Sequence, residues 1–437
     1  MQTKKIKEDI IYNSRMSGYC FHITDEKWEL DKDVCIYPYK VTRKMPEPMK
    51  EGYLQTLAYY ASEFSSGYVK AINFIFLKWV NLMSLNVIDD KAIQELNINL
   101  GPVKNYKLNA IKKFITKWRA FNYHGVDKTA IRMLEKINIV SNQTGEAVKR
   151  RDPNKGPFTE VEFNMILTTL AELYSENKIE STIYCFILLL ATTGRRPLQL
   201  TSLKGKDLIK KMDRYYLNIP RVKQKLPFRA EMEMKEIDGN LYKDLRLLIE
   251  ENEKYLELNF HEETYGLRGE IPVFLDIKKV KKCIKLSDIK NKLNSDYFHM
   301  KNQTLFRMLK SLSIGKNLKS GRTKNTININ ARRFRYTLAT RLASEGATIS
   351  VIAKALDHKS ISSSGIYIKN VPDNVRDIDS KIGDFLQPLA NVFLGIESQI
   401  NKDKFKEHIL QSYALNDNSE KEIKCLTCKN LKPWRIE

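Results

Sequence analysis

Apolar residues recur every three or four positions through much of this chain, the spacing of one buried helix face. Tyr68, Ile72, Ile75, Trp79, Val80 and Met83 follow it, and Tyr106, Ile111, Phe114, Ile115 and Trp118 repeat it. Helices are therefore expected from Tyr53 to about Ile139. Residues 1–50 are charged and aromatic with weak periodicity, which suggests an arm with a short strand or hairpin. Met45–Pro46–Glu47–Pro48 reads as a turn, because two prolines argue against helix there. Residues 148–157 hold two prolines and a glycine and read as a linker between domains.

Beyond the linker the pattern changes. Thr159 and Glu162 have the spacing of a capping box and should open a helix. Ser181–Ala191 is apolar on most sides, and Thr193–Gly194 should end it. Arg214–Lys223 and Glu231–Ile237 alternate as paired strands around the basic turn Lys223–Arg229. Leu241–Leu256 and Gln303–Leu312 read as helices. Residues 260–303 are lysine-rich and irregular and give no assignment. A helix from Ala331 should stop at Gly346, and Thr348 should cap Ile349–Leu356. Ile378–Ile396 is amphipathic, and the last forty residues are polar. The expected fold is mainly α with a small β-sheet, in two domains.

Charge narrows the function. The 437 residues carry 74 Lys and Arg against 52 Asp and Glu, a formal net charge of +22. A polyanionic partner suits that excess, nucleic acid above all. The basic residues are also placed: Lys104, Lys107, Lys112, Lys113, Lys117 and Arg119 share one region with no acid between them. A phosphate-tracking surface is expected there. The apolar run Ile183–Ala191 is too short to span a bilayer, and the N-terminus lacks the apolar core of a secretory signal. Six scattered cysteines show no disulfide framework, which fits a reducing compartment. Cys425 and Cys428 form a lone CxxC without the further ligands that structural zinc needs.

The densest chemistry lies in Ala331–Lys369. Arg332, Arg335, His358 and Tyr367 occur there without a carboxylate cluster, a set suited to a phosphodiester. Thr193-Gly194-Arg195-Arg196 places two further arginines at the start of an element, where backbone N–H groups also favour anions.

Three blocks in order resemble the tyrosine recombinases, or phage-type integrases. Thr193-Gly194-Arg195-Arg196, continued by Gln199-Leu200, is similar to the first-arginine box. Arg332-Arg333-Phe334-Arg335 is similar to the second. Leu356-Asp357-His358, followed by Ile366-Tyr367, is similar to the last, with His358 lying 23 positions after Arg335. The resemblance implies a helical (SAM-like) core-binding domain over 51–147. It also implies a mixed α/β catalytic domain over 158–385, after an arm (1–50) and the linker and before a tail (386–437). Arg196, Arg335 and His358 would hold the phosphate, Arg332 would join the catalytic set as a hydrogen-bond donor, and Tyr367 would be the nucleophile. A hairpin lysine, Lys223 in preference to Lys225, would be the general acid, and Lys225 would touch DNA. The partners implied are double-stranded DNA and copies of the chain, as a tetramer on two sites in the bacterial cytoplasm at the nucleoid. No membrane, cofactor or metal is implied. Three positions depart from the family: Arg332 replaces a histidine, Gln199 a carboxylate and Asp357 a glycine. Arginine can donate hydrogen bonds but cannot move a proton near neutral pH. A regulator of the same fold without catalysis, a lone topoisomerase of the same chemistry, and a generic nucleic-acid binder remain as alternatives.

Overall fold

The computed structural model describes residues 10–368 apart from 141–144, 223–226, 263, 265 and 316. Ile378–Ile396, the tail from 386, and Cys425 and Cys428 lie outside the described residues, as do Lys223 and Lys225. The chain divides into two compact units. The first takes residues up to 144 together with 278–298; the second takes 145–277 and everything from 299.

In the first unit β1 (Ile11–Asn13) pairs antiparallel with β2 (Cys20–His22), and β3 (Trp28–Glu29) with β4 (Cys35–Ile36). Helices α1 (Tyr39–Thr42), α2 (Glu47–Glu63), α3 (Ser66–Leu82), α4 (Asp90–Lys104), α5 (Leu108–Ala120) and α6 (Lys128–Lys136) follow. The expected turn at residues 45–48 is instead the start of α2. Pro46 is its extended N-cap, and Pro48 lies in its first turn. Proline costs nothing there, since first-turn N–H groups have no partner within the helix. Asp89 and Asp127 cap α4 and α6 through the N–H groups of Ala92 and Thr129.

Aromatic residues make this core. Tyr53, Phe76, Phe114 and Trp118 are buried against one another, with Tyr53 and Phe76 centroids 5.1 Å apart. Each such burial contributes about 1.5–3 kcal/mol. Phe21 stacks on Trp28 at 4.2 Å, and both belong to the same core. The residues read as an arm are thus packed through that stacked pair.

The second unit begins with α7 (Glu146–Lys149), α8 (Glu160–Ser175), α9 (Ser181–Thr193) and the short α10 (Pro197–Leu200). Thr159 and Glu162 form the expected capping box on α8. Strands β5 (Leu208–Lys211), β6 (Arg214–Pro220) and β7 (Met232–Ile237) make an antiparallel sheet in that order. Tyr215 lies opposite Ile237 and Pro220 opposite Met232. After α11 (Gly239–Phe260) come α12 (Ile277–Val280) and α13 (Leu286–Lys290), around which the chain passes into the first unit and back. Helices α14 (Asn302–Gly315), α15 (Ala331–Ser344), α16 (Ile349–Ala355) and α17 (Gly365–Ile368) complete the described fold.

Helix α9 is the hub. Ile183, Cys185, Phe186, Ile187, Leu189 and Leu190 are buried, and α8, α11, α14 and α15 pack around it. The linker expected at 148–157 is fastened to this unit. Arg333 Nε donates to Gly156 O at 2.9 Å, Arg322 donates to Arg151 O at 3.2 Å, and Val148 is buried. Among the described residues no helix is long and apolar enough to cross a membrane.

Candidate active site

The site grows from the end of α9. Gly194 turns the chain with φ +57°, and a Cβ there would lie 2.6 Å from Leu338 Cδ2, so both conformation and space call for glycine. The turn separates two neighbouring arginines. Arg195 is driven inside, with a fully buried side chain, while Arg196 stays partly exposed as the N-cap of α10.

Three cations converge on the end of α16. Lys235 Nζ donates to Ala355 O at 3.0 Å, Arg335 Nη2 to Leu356 O at 2.6 Å, and Arg196 Nη1 to Asp357 O at 2.9 Å. Consecutive carbonyls at a helix C-terminus lack partners and carry the negative end of its dipole, so they suit cations. Arg335 also donates to Gly194 O at 2.9 Å, which ties α15 to the turn after α9.

Asp357 sits at the centre with φ +52°. The position therefore needs a left-handed residue, and aspartate is one of the few besides glycine that adopts this region readily. That explains the departure from glycine seen in the sequence. It also adds a buried carboxylate, which accepts from Arg221 Nε at 2.8 Å and Gln199 Nε2 at 3.0 Å. Arg195 Nη1 and Arg196 Nη1 lie 3.7 and 3.8 Å from its Oδ2. Arg195 reaches a second carboxylate, Glu233, at 2.5 Å.

His358 follows directly, its main-chain N–H bonded to Ala353 O at 2.9 Å. Its Nδ1 lies 2.7 Å from Ser364 Oγ, which fixes the ring. Tyr367 on α17 is buried in a cluster with Val148, Ala339, Leu342, Ile352 and Leu356. Its ring is nearly parallel to that of His358, centroids 6.5 Å apart, and Tyr336 lies 6.2 Å away.

Burial dominates the electrostatics. It pushes the Tyr367 hydroxyl up to about 12, although Arg335 and Arg196 pull the other way. Burial and the adjacent Arg196 lower Arg335 to about 9, and burial also lowers Arg196 against the pull of Asp357. Guanidinium keeps its proton in proteins, so these shifts measure the cost of holding charge away from water. Lys235 is lowered to about 7, by burial first and then by Arg195. Arg195, Arg196, Arg221, Lys235 and Arg335 face three carboxylates, Glu231, Glu233 and Asp357. A bound oxyanion would offset that surplus.

The chemistry now has a frame. Residues 158–373 match the model of the phage integrase family. The chain carries a phage integrase domain. Solved structures with a similar trace include the Tn1549 transposon integrase in complex with transposon right end DNA, at 13% identity and TM-score 0.49, covering 76% of this chain and 98% of that one. XerH recombinase bound to its difH substrate is at 12% identity and TM-score 0.47, covering 77% and 85%. A lambda integrase dimer bound to a core site is at 13% identity and TM-score 0.39, covering 77% and 76%. A comparison with curated proteins gives no match.

Within the integrase domain the structure gathers Arg196, Arg335, His358 and Tyr367 around one place. Arg332 stays exposed on α15, while its neighbour Arg333 is buried, 3.1 Å from Glu162 and stacked over Phe158 at 4.0 Å. A cavity of about 520 Å³ beside the site is lined by Lys235, Arg221, Asp357 and His358 together with Met232 and Leu338. In the first unit Lys104 closes α4, Lys107 closes the 3-10 turn Asn105–Lys107, and Lys112, Lys113, Lys117 and Arg119 lie on α5. Lys104 and Lys113 are exposed. Lys117 lies over the rings of Tyr59 and Phe121 at 4.5 and 4.7 Å, and Arg119 donates to Val126 O at 3.4 Å. Those two are partly spent on packing.

Sequence reasoning passed over Arg195, Lys235 and the role of Asp357. An acid directly after Leu356, in a box otherwise cationic, was a signal for Asp357. Lys235 had none, since its importance arises only when β7 meets the end of α16.

Proposed function

We propose that the chain is a site-specific DNA recombinase that cuts and rejoins strands through a 3′-phosphotyrosine at Tyr367. The observation that carries this reading is the convergence of Arg196, Arg335, His358 and Tyr367 at the end of α16, in a setting with surplus positive charge. A scissile phosphodiester would draw the guanidinium donors of Arg196 and Arg335 onto its non-bridging oxygens and bear its added charge there during attack. With His358 Nδ1 engaged by Ser364, Nε2 is the ring nitrogen that would meet the phosphate.

Tyr367 oxygen forms a bond to phosphorus as the bond from phosphorus to the 5′-oxygen breaks. The leaving 5′-oxygen takes a proton from a hairpin lysine, Lys223 or Lys225, and the tyrosine proton must leave as attack proceeds. The hydroxyl is protonated at neutral pH, so the two arginines are needed to favour its ionised form. Reversal by a new 5′-hydroxyl reseals the strand, and exchange of one ester for another needs no nucleotide energy. Four protomers on two DNA sites would supply the four strand cleavages of a complete exchange. The exposed lysines of the first unit would hold the backbone of the duplex.

A nicked suicide duplex tests this. The wild type should form a covalent protein–DNA adduct and Tyr367→Phe should form none. An adduct in the Phe variant would overturn the assignment.

A further inference from the structure

Residues 278–298 hold seven lysines and two aspartates. They interrupt the second unit in sequence yet pack within the first. A lysine-rich excursion with no anchor would be an ordinary solvated loop. This one is firmly built. Val280, Leu286, Ile289, Leu293 and Phe298 are buried. Gly18, with φ +85°, comes so close that a Cβ would stand 2.6 Å from Ser295 Cβ. Asp296 is buried, accepts the main-chain N–H of Lys32 at 3.5 Å, and lies within the field of the buried Lys32 ammonium. Tyr297 packs against Tyr19, with the ammonium groups of Lys279 and Lys292 at 4.1 and 4.3 Å from its ring.

Lysines in the segment therefore divide by role. Lys279 and Lys292 hold it together, and Lys279 also donates to Tyr297 O at 2.7 Å. Lys281, Lys282, Lys285 and Lys290 face water. The single exposed acid, Asp288, is occupied by the N–H groups of Ile284 and Lys285 at 3.1 and 3.0 Å. A plain solubilising face mixes signs, whereas this one presents cations on a fixed base.

We propose that residues 278–298 form a phosphate-gripping element that adds sequence-independent contacts to duplex DNA. The proposal rests on the reading that the chain acts on DNA. Lys281, Lys282, Lys285 and Lys290 each neutralise a backbone phosphate and release its counterions, with no part in base readout. Fixing the segment through Asp296 and Tyr297 lowers the ordering entropy lost on binding.

The test uses the full chain and a duplex of arbitrary sequence, with affinity measured across a salt series. Lys281→Gln/Lys282→Gln and Lys285→Gln/Lys290→Gln are compared with Lys243→Gln/Lys254→Gln, which removes the same charge from exposed positions on α11. Each contact accounts for about 0.9 in the slope of log affinity against log salt. Each insert double should therefore lower the slope by about 1 to 2, and the α11 double should leave it unchanged. Circular dichroism should be the same for all three. Equal slopes for wild type and insert variants, or equal losses in all three, would overturn the proposal; the first result would leave these lysines to an acidic protein partner. Such a result with a Tyr367-dependent adduct still forming removes the insert alone. Absence of both the adduct and DNA binding in the wild type removes the recombinase reading with it.

Discussion

Lys32 in the first unit is buried in the field of three carboxylates, Asp31, Asp33 and Asp296, whereas Asp357 in the second is buried against three arginines, Arg195, Arg196 and Arg221. Both clusters join segments distant in sequence. They differ in what they lack. Around Lys32 the acids are in excess, and burial raises Asp296 to about 6, so the cluster can relieve its charge by taking up a proton. Around Asp357 the cations are in excess, and although Lys235, lowered to about 7, can shed one charge, the arginines cannot give up protons to relieve the rest. For that remainder an incoming anion is needed. The first cluster is a self-sufficient anchor; the second has an electrostatic requirement that a phosphodiester meets.

Three substitutions press on this contrast. The largest effect is expected from Asp357→Asn, which keeps the shape and the left-handed backbone but leaves Arg195 short of a charged partner. Breaking a buried pair in this way costs about 3–5 kcal/mol. The denaturation midpoint should fall, and Arg221 should lose its charged anchor at 2.8 Å. An unchanged midpoint would mean the cluster is not held by charge.

Next comes Lys235→Met. The folded pKa of Lys235 is depressed to about 7. Between about pH 7 and the usual lysine range the unfolded chain binds a proton that the folded chain has lost. Stability therefore rises with pH across that window, by up to about 1.4 kcal/mol per unit from this group. The variant should flatten that rise; an identical pH profile would refute the burial of a destabilised ammonium.

Asp296→Asn should do least. Its folded pKa is raised from 3.8 to about 6, so the native state holds the proton more tightly. Its contribution to stability is present below about pH 4 and is lost as pH rises through about 6. Thermal melts of wild type and variant should differ in slope over that window and run parallel above it. A variant whose slope matches the wild type throughout would place the titration elsewhere.

Local signals made much of this molecule legible in its sequence. The capping box at Thr159, the strand pair on either side of 221–231 and the helix stop at Gly194 depend on neighbours in the chain, and the sequence carries those neighbours. The three blocks around Arg196, Arg335 and Tyr367 were legible because they keep residue type and order together. What escaped depends on long-range approach. Pro48 argued against a helix until its first-turn position was known. Residues 278–298 gave no assignment because the unit they pack within is far away in sequence. Lys235 and Arg195 acquire meaning only where β7, the turn after α9 and the end of α16 meet.

The central claim is that the cation-rich site delivers a phosphodiester to Tyr367, and the most direct test is to locate the bond. The adduct trapped on a nicked duplex, digested and mapped by mass spectrometry, should carry its nucleotide through a 3′-phosphate on Tyr367. Tyr336, whose ring lies 6.2 Å away, should be unmodified. A nucleotide on Tyr336 or any other residue, or strand cleavage with no covalent intermediate, would contradict the account.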